Sequence, residues 1–162
     1  LIAEANGDTQ KLVELIVQNF PSFSDTSLYK EKEIYFYKRA QLLVADIYQI
    51  FDGQSFGAMK NADQLTACAD YKLPQILRKL GILEYATALA EKVDTKTEIT
   101  HNSPEEIEMR ANTIWAVEFI KEEVKKRSPQ ILSFEVNDHL WLATQEKFDG
   151  DKPYHRTRTT AY

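Results

Sequence analysis

The chain has little of several things. It holds one cysteine, five glycines and five prolines in 162 residues. The single Cys68 excludes an internal disulfide and a multi-cysteine zinc site, and makes a reducing, cytoplasmic setting the default expectation. So few glycines and prolines leave long uninterrupted segments, and no tandem repeat is visible. No apolar run is long enough to span a bilayer and no signal peptide is read, so no membrane partner is expected. Positive charge is not in excess. The net charge is −5 and the charges are dispersed, which argues against coating duplex DNA or an anionic membrane by bulk attraction. Gly-rich phosphate loops, G-x-S-x-G and H-E-x-x-H are all missing. His101, His139 and His155 are scattered, so a histidine-based metal site is not expected, and no cofactor is expected either.

What is present reads as one helical domain over residues 1–162. Apolar residues make up 43% of the chain, enough for a sizeable core. The chain begins at Leu1 rather than Met, so a fragment or a processed form is expected.

Asp8 is placed to cap a helix in "GDTQKLVELIVQNF", where Leu12, Val13, Ile16 and Phe20 recur at helical spacing. "PSFSDTS" reads as a loop. "EIYFYKRAQLLVADIYQIF" is helical from about Arg39, with Ala40, Val44, Ile47 and Phe51 on one face, whereas "EIYFY" alternates like a strand. "LTACADYKLPQILRKLG" (65–81) reads as part of a helical hairpin. Asn61 and Gln64 would box the first helix, Pro74 and Gly81 bound the second, and Asp70 sits at the joint. "EYATALAEKVD" is a short helix. Ser103, Pro104 and Glu106 start a long one that ends in a basic turn. After Pro129, "ILSFEVNDHLWLATQEKF" is a last helix, followed by a basic, Thr-rich tail.

Few residues stand out chemically. Asp70 ends a run of small residues and serves either as a joint cap or as a carboxylate stabilising a developing positive charge. Lys38 is a snorkelling surface lysine or an ammonium held beside a carboxylate. Asp46 has apolar neighbours and would need a partner if its face were buried, by a structural salt bridge or a substrate contact. His155, Arg156 and Arg158 form either a solvated tail or a phosphate-binding stretch. Trp115 and Trp141 read as core, and Glu108 with Arg110 as a surface charge pattern.

Four blocks, "FYKRAQLLVADIY" (36–48), "LTACADYKLPQILRKLGILEY" (65–85), "EIEMRANTIWAVEFI" (106–120) and "PYHRTRTTAY" (153–162), occur in the order and spacing of one family. "KLVELIVQNFPSF" (11–23) adds to them. Together they resemble the queuosine salvage proteins, the queuosine 5′-phosphate N-glycosylase/hydrolase family, across nearly the whole chain.

Family members are about twice this long, so the chain resembles their C-terminal half and is expected to dock against a further N-terminal region. The resemblance implies an all-α fold related to the helix-hairpin-helix DNA glycosylases. It also implies metal-free release of queuine from queuosine 5′-monophosphate, with no stable nucleic-acid partner. A lysine and an aspartate are the expected catalytic pair there, and Lys38 and Asp70 match those motif positions. Tyr37, Arg39, Asp46, Tyr71, His155, Arg156 and Arg158 are the expected substrate-binding set. Two positions depart from the family pattern: Asn137 and Leu142 in "NDHLWLA" stand where acids are expected.

Queuine is a 7-deazaguanine. It lacks the ring nitrogen that purine nucleosidases usually protonate, so the site must stabilise both the ribosyl cation and the departing base. Asp70 suits the first task and Lys38 the second. Asp46 would bind ribose hydroxyls or the amino arm, and the tail cations the 5′-phosphate. Two other classes compete: a nucleic-acid-binding helix-hairpin-helix module using Lys72, Arg78 and Lys79, which the acidic net charge disfavours, and a non-catalytic helical module marked by an exposed apolar patch.

Overall fold

A computed structural model describes residues 1–146 and 150–162. Among them the chain forms seven α-helices and one two-stranded sheet. In order these are α1 (Ile2–Ala5), α2 (Thr9–Asn19), β1 (Thr26–Tyr29), β2 (Lys32–Tyr35), α3 (Lys38–Ile50), α4 (Lys72–Lys79), α5 (Thr87–Asp94), α6 (Pro104–Lys125) and α7 (Ser133–Ala143). The fold is therefore mostly helical but not all-α. The correction lies in the stretch read as a loop and an uncertain strand. β1 and β2 pair antiparallel, with Thr26 opposite Tyr35 and Tyr29 opposite Lys32. Lys30 and Glu31 both take positive φ, 47° and 64°, as a tight two-residue hairpin turn requires.

Several helix starts follow their sequence signals. Asp8 caps α2 by accepting the Lys11 amide at 2.8 Å, and Ser103 caps α6 by accepting the Glu106 amide at 3.3 Å. Gly81 follows α4 with φ 71°, the left-handed conformation that ends a helix cheaply only at glycine. α7 ends at Ala143, and the expected continuation to Phe148 runs into residues 147–149, outside the described ones.

Two apolar cores meet at the middle of the chain. One joins Leu12, Val13 and Ile16 of α2 to Ala40 and Val44 of α3, with Phe134 of α7 edge-on to Tyr48 at 5.7 Å. The other joins Leu73, Ile76 and Leu77 of α4 to Ala116 and Val117 of α6 and Val136 of α7. The segment from Leu65 to Ala67 passes from the first core to the second.

That segment overturns the hairpin expectation. Asn61 takes φ 60° and makes no side-chain cap, only Ala62–Gln64 form a 3-10 turn, and 65–70 carry no helix. The cause is tertiary. A buried non-helical backbone must find hydrogen bonds elsewhere, and here side chains from three helices supply them. Gln41 accepts the Thr66 amide at 2.8 Å, Asn137 accepts the Cys68 amide at 2.9 Å, and Arg110 donates to the Ala69 carbonyl at 3.3 Å.

Two further corrections concern large side chains. Trp115 is 62% exposed and Trp141 is 42% exposed, so neither is core. Conversely, Arg110 is fully buried at 0% exposure and is no part of a surface charge pattern. The inside of α6 carries Glu106, Arg110 and Thr113, and its outside carries Trp115 and Phe119.

Candidate active site

Lys38 is the first residue of α3, and its entry is unusual. Tyr37, the residue before it, sits in the left-handed region at φ 46°, a costly conformation for a bulky side chain. Its own side chain makes no cap. Asp25 compensates from outside the helix. Its carbonyl accepts the amides of Phe36 at 3.0 Å and Tyr37 at 3.1 Å, and its carboxylate accepts the Lys38 amide at 3.2 Å. The ammonium of Lys38 forms no ion pair among the described residues, and the residue as a whole is partly buried.

Asp70 ends the non-helical segment and is buried. Its Oδ1 accepts the amides of Lys72 at 2.7 Å and Leu73 at 3.0 Å, which are orphan donors of the first turn of α4. The capping reading and the catalytic reading are thus compatible, because both bonds fall on one oxygen. Oδ2 has no hydrogen-bond partner among the described residues.

The charges of these two residues and of Asp46 and Asp138 all act on one buried thiol. The Cys68 thiol is pushed up to about 12, first by burial. The Lys38 ammonium opposes that shift, and the carboxylates of Asp138, Asp70 and Asp46 add to it. The thiol therefore stays protonated at neutral pH and donates to the Lys38 carbonyl at 3.7 Å rather than acting as a nucleophile. Asp46 is exposed at its carboxylate end, and its pKa is raised by desolvation and by Asp138, with Lys38 pulling the other way. Asp138 is anchored on both oxygens, by Asn137 at 3.1 Å and Gln49 at 2.9 Å.

The sequence marks Asn137 only as a departure from the family pattern and does not single out Asp138. Asn137 replaces an expected acid, and the geometry shows what an amide does there. It accepts the Cys68 amide through its oxygen and donates to Asp138 through its nitrogen, a double task that an ionised carboxylate cannot perform. The site is one ammonium among carboxylates from α3, the 65–70 segment and α7. Such a face can bind hydroxyl groups and stabilise positive charge beside it.

The remaining expected residues lie apart. Arg39 stacks on Phe23 at 4.8 Å and donates to the carbonyls of Ser22 and Thr160. Tyr71, next to Asp70, is partly exposed and packs on Tyr154 with ring centroids 4.8 Å apart. His155 is only 2% exposed and is pushed down to about 4 by burial and by Arg110, so it is a neutral core residue bonded to the Tyr162 hydroxyl at 3.2 Å. Arg156 bridges to Glu98 through its backbone. The Arg158 side chain is 91% exposed and pairs with Glu98 at 3.4 Å. Neither arginine contacts Lys38, Asp46, Asp70 or Asp138 among the described residues.

The family profile for queuosine salvage proteins matches residues 1–162. The chain belongs to the queuosine salvage protein family. It is 45% identical over 161 residues to a queuosine 5′-phosphate N-glycosylase/hydrolase of Sphaerobacter thermophilus, covering 99% of this chain and 50% of that protein. It is 37% identical over 162 residues to the protein of that name in Dictyostelium discoideum, covering 100% of this chain and 50% of the relative. The mouse protein of that name is 38% identical, with 99% and 50% covered. The chain thus spans about half the length of the curated relatives it matches. No helix among the described residues is long and apolar enough to cross a membrane.

Proposed function

We propose that this queuosine salvage family chain carries the catalytic residues of a queuosine 5′-phosphate N-glycosylase, which hydrolyses the bond between ribose and queuine and frees the base for tRNA modification. The observation that carries the reading is how Cys68 ties the charged residues together: its thiol bonds the Lys38 carbonyl at 3.7 Å, its amide bonds Asn137 at 2.9 Å, Asn137 holds Asp138 at 3.1 Å, and Asp70 lies two residues on. Breaking an N-glycosidic bond builds positive charge on the ribose ring and negative charge on the base. The free oxygen of Asp70 faces the anomeric carbon and stabilises the cation or orients the attacking water. The unpaired ammonium of Lys38 stabilises the departing deazaguanine anion. Asp46 and Asp138 bind ribose hydroxyls or the amino arm, and the exposed face of Tyr71 stacks on the base.

The helix-hairpin-helix glycosylase relationship belongs to the same proposal, although the hairpin expected at 61–81 is not formed. It is supported by a lysine opening one helix and an aspartate capping the first turn of another. The cytoplasm is the compartment that fits a free, buried Cys68.

We also infer that the other half of a full-length family member covers the apolar face of α6. Trp115 and Phe119 stack there with ring centroids 6.0 Å apart, beside Ile82, over a groove of about 850 Å³. Exposed aromatic pairs of this kind mark contact surfaces, and the half-length match to the relatives supplies the occupant.

Mass spectrometry of queuine after incubation with queuosine 5′-monophosphate tests the function, for this chain and for a version extended to the relatives' length. Queuine from the extended protein supports it. Its absence from a folded extended protein refutes it.

A further inference from the structure

The buried Arg110 lies outside the cluster of charges but bonds to groups next to two of its members. Its two terminal nitrogens clasp the Asp25 carboxylate at 2.9 and 2.6 Å. Its Nε donates to the carbonyl of Ala69, the residue before Asp70, at 3.3 Å. The same Asp25 carboxylate accepts the amide of Lys38 at 3.2 Å. One guanidinium thus connects the backbone just before Asp70 to the backbone of Lys38 through a single intermediate side chain.

The guanidinium has little freedom to move. It lies between the rings of Phe36, at 3.9 Å, and Tyr162, at 4.7 Å. Glu106 approaches its Nη1 at 3.7 Å and also accepts the Tyr162 hydroxyl at 3.0 Å and the Asn102 amide at 3.1 Å. Because that hydroxyl is committed to Glu106, His155 donates to the Tyr162 oxygen through Nε2, and its buried Nδ1 has no hydrogen-bond partner among the described residues. The planar fork of arginine suits this arrangement, and the single point charge of lysine would not reproduce it. The C-terminal tail, expected to hold phosphate, here closes over the guanidinium.

From these contacts we infer that Arg110, with Asp25, is the positioning device that fixes Lys38 and Asp70 relative to each other for N-glycosidic cleavage. The inference rests on the N-glycosylase reading. Asp25 holds α3 at its strained entry, and Arg110 holds the non-helical segment at its last residue before the carboxylate. Neither touches the substrate. A ribosyl cation and a departing base must be met at once, so an error in the spacing of the two groups acts on the rate more than on binding.

The test uses the extended protein with the double substitution Asp25→Leu/Arg110→Met. Removing both charges together strands neither partner of the pair, and Glu106 keeps its bonds from the Tyr162 hydroxyl and the Asn102 amide. The expected result is a cooperative thermal melt, KM little changed and kcat for queuine release reduced by about 10²-fold. In an Asp70→Asn background the same double substitution should cost little further rate, because its target is already gone. A folded double variant with wild-type kcat overturns the inference. If the double variant does not fold, Asp25→Asn decides, since it keeps the size and one acceptor for the Lys38 amide. A loss of kcat there supports the inference and an unchanged kcat overturns it.

If the wild-type protein releases no queuine, the N-glycosylase reading fails by itself. The positioning claim is then read by amide hydrogen exchange in Asp25→Asn. Faster exchange at Lys38, Lys72 and Leu73, with Ile16 and Val117 unchanged, supports it, and unchanged exchange at all five overturns it.

Discussion

Asp70 and Lys72 are joined by a 2.7 Å hydrogen bond from the Lys72 amide to Oδ1, which makes Asp70 the cap of α4 as well as a free carboxylate. The two roles separate by substitution. Asparagine caps a helix about as well as aspartate does, and alanine does not cap. Asp70→Asn should therefore keep the wild-type melting behaviour, and Asp70→Ala should lose ~1 kcal/mol of stability. Chemical denaturation of both variants checks this. Equal stability of Asp70→Asn and Asp70→Ala would contradict the cap.

The raised pKa of Asp46 is owed first to desolvation and then to Asp138. Asp138→Asn removes the like charge and should lower the Asp46 pKa toward the ordinary carboxylate range. Carbon-detected NMR titration of the Asp46 carboxyl reads the shift directly. No change on removing Asp138 would mean that the two carboxylates do not share a face.

His155 is neutral in the fold, its pKa pushed down from 6.5 to about 4. The unfolded chain binds a proton at this residue between those values and the folded chain does not. Its contribution is thus fully present above pH 6.5 and is lost as pH falls toward 4. The loss amounts to ~3 kcal/mol. His155→Gln should flatten the stability profile in that window, as measured by urea unfolding across pH. A profile as steep as the wild type's would place the acid sensitivity elsewhere.

Gly57 follows α3 in a tight connector. A Cβ there would meet the Phe51 Cβ at 2.8 Å and the Ile47 carbonyl at 2.9 Å, and backbone cannot swing aside. Gly57→Ala should cost ~1–3 kcal/mol as an overpacking change. A variant melting like the wild type would show that the connector relaxes freely.

Some of the candidate residues were legible locally. Lys38 among aromatics, Asp46 two turns later and Asp70 after a run of small residues all stood out, and the charges of all three act on the buried Cys68 thiol. Arg110 was not legible. Its partner Asp25 is 85 residues away, and a window over "EIEMR" shows only alternating charge. The buried side of α6 mixes Glu106, Arg110 and Thr113 with Ile107, Ala116 and Val117, and its exposed side carries Trp115 and Phe119, which blurs the hydrophobic periodicity. The hairpin at 61–81 failed for a related reason. Small residues and nearby capping groups suit a helix, but side-chain bonds from Gln41, Asn137 and Arg110 hold that backbone out of helical conformation. The sheet was half visible in "EIYFY" and hidden in "SDTS", where a short strand has no alternation to display.

The most direct test of the account is the rate of queuine release by Asp70→Asn and Lys38→Met in the extended protein, measured against wild type on queuosine 5′-monophosphate. Each variant loses one of the two groups assigned to opposite ends of the breaking bond. The account predicts a fall in kcat of about 10²–10³-fold for Asp70→Asn, and a fall of the same order for Lys38→Met, with both proteins folded. Wild-type turnover by folded Asp70→Asn would contradict it and leave Asp70 as the cap of α4 alone.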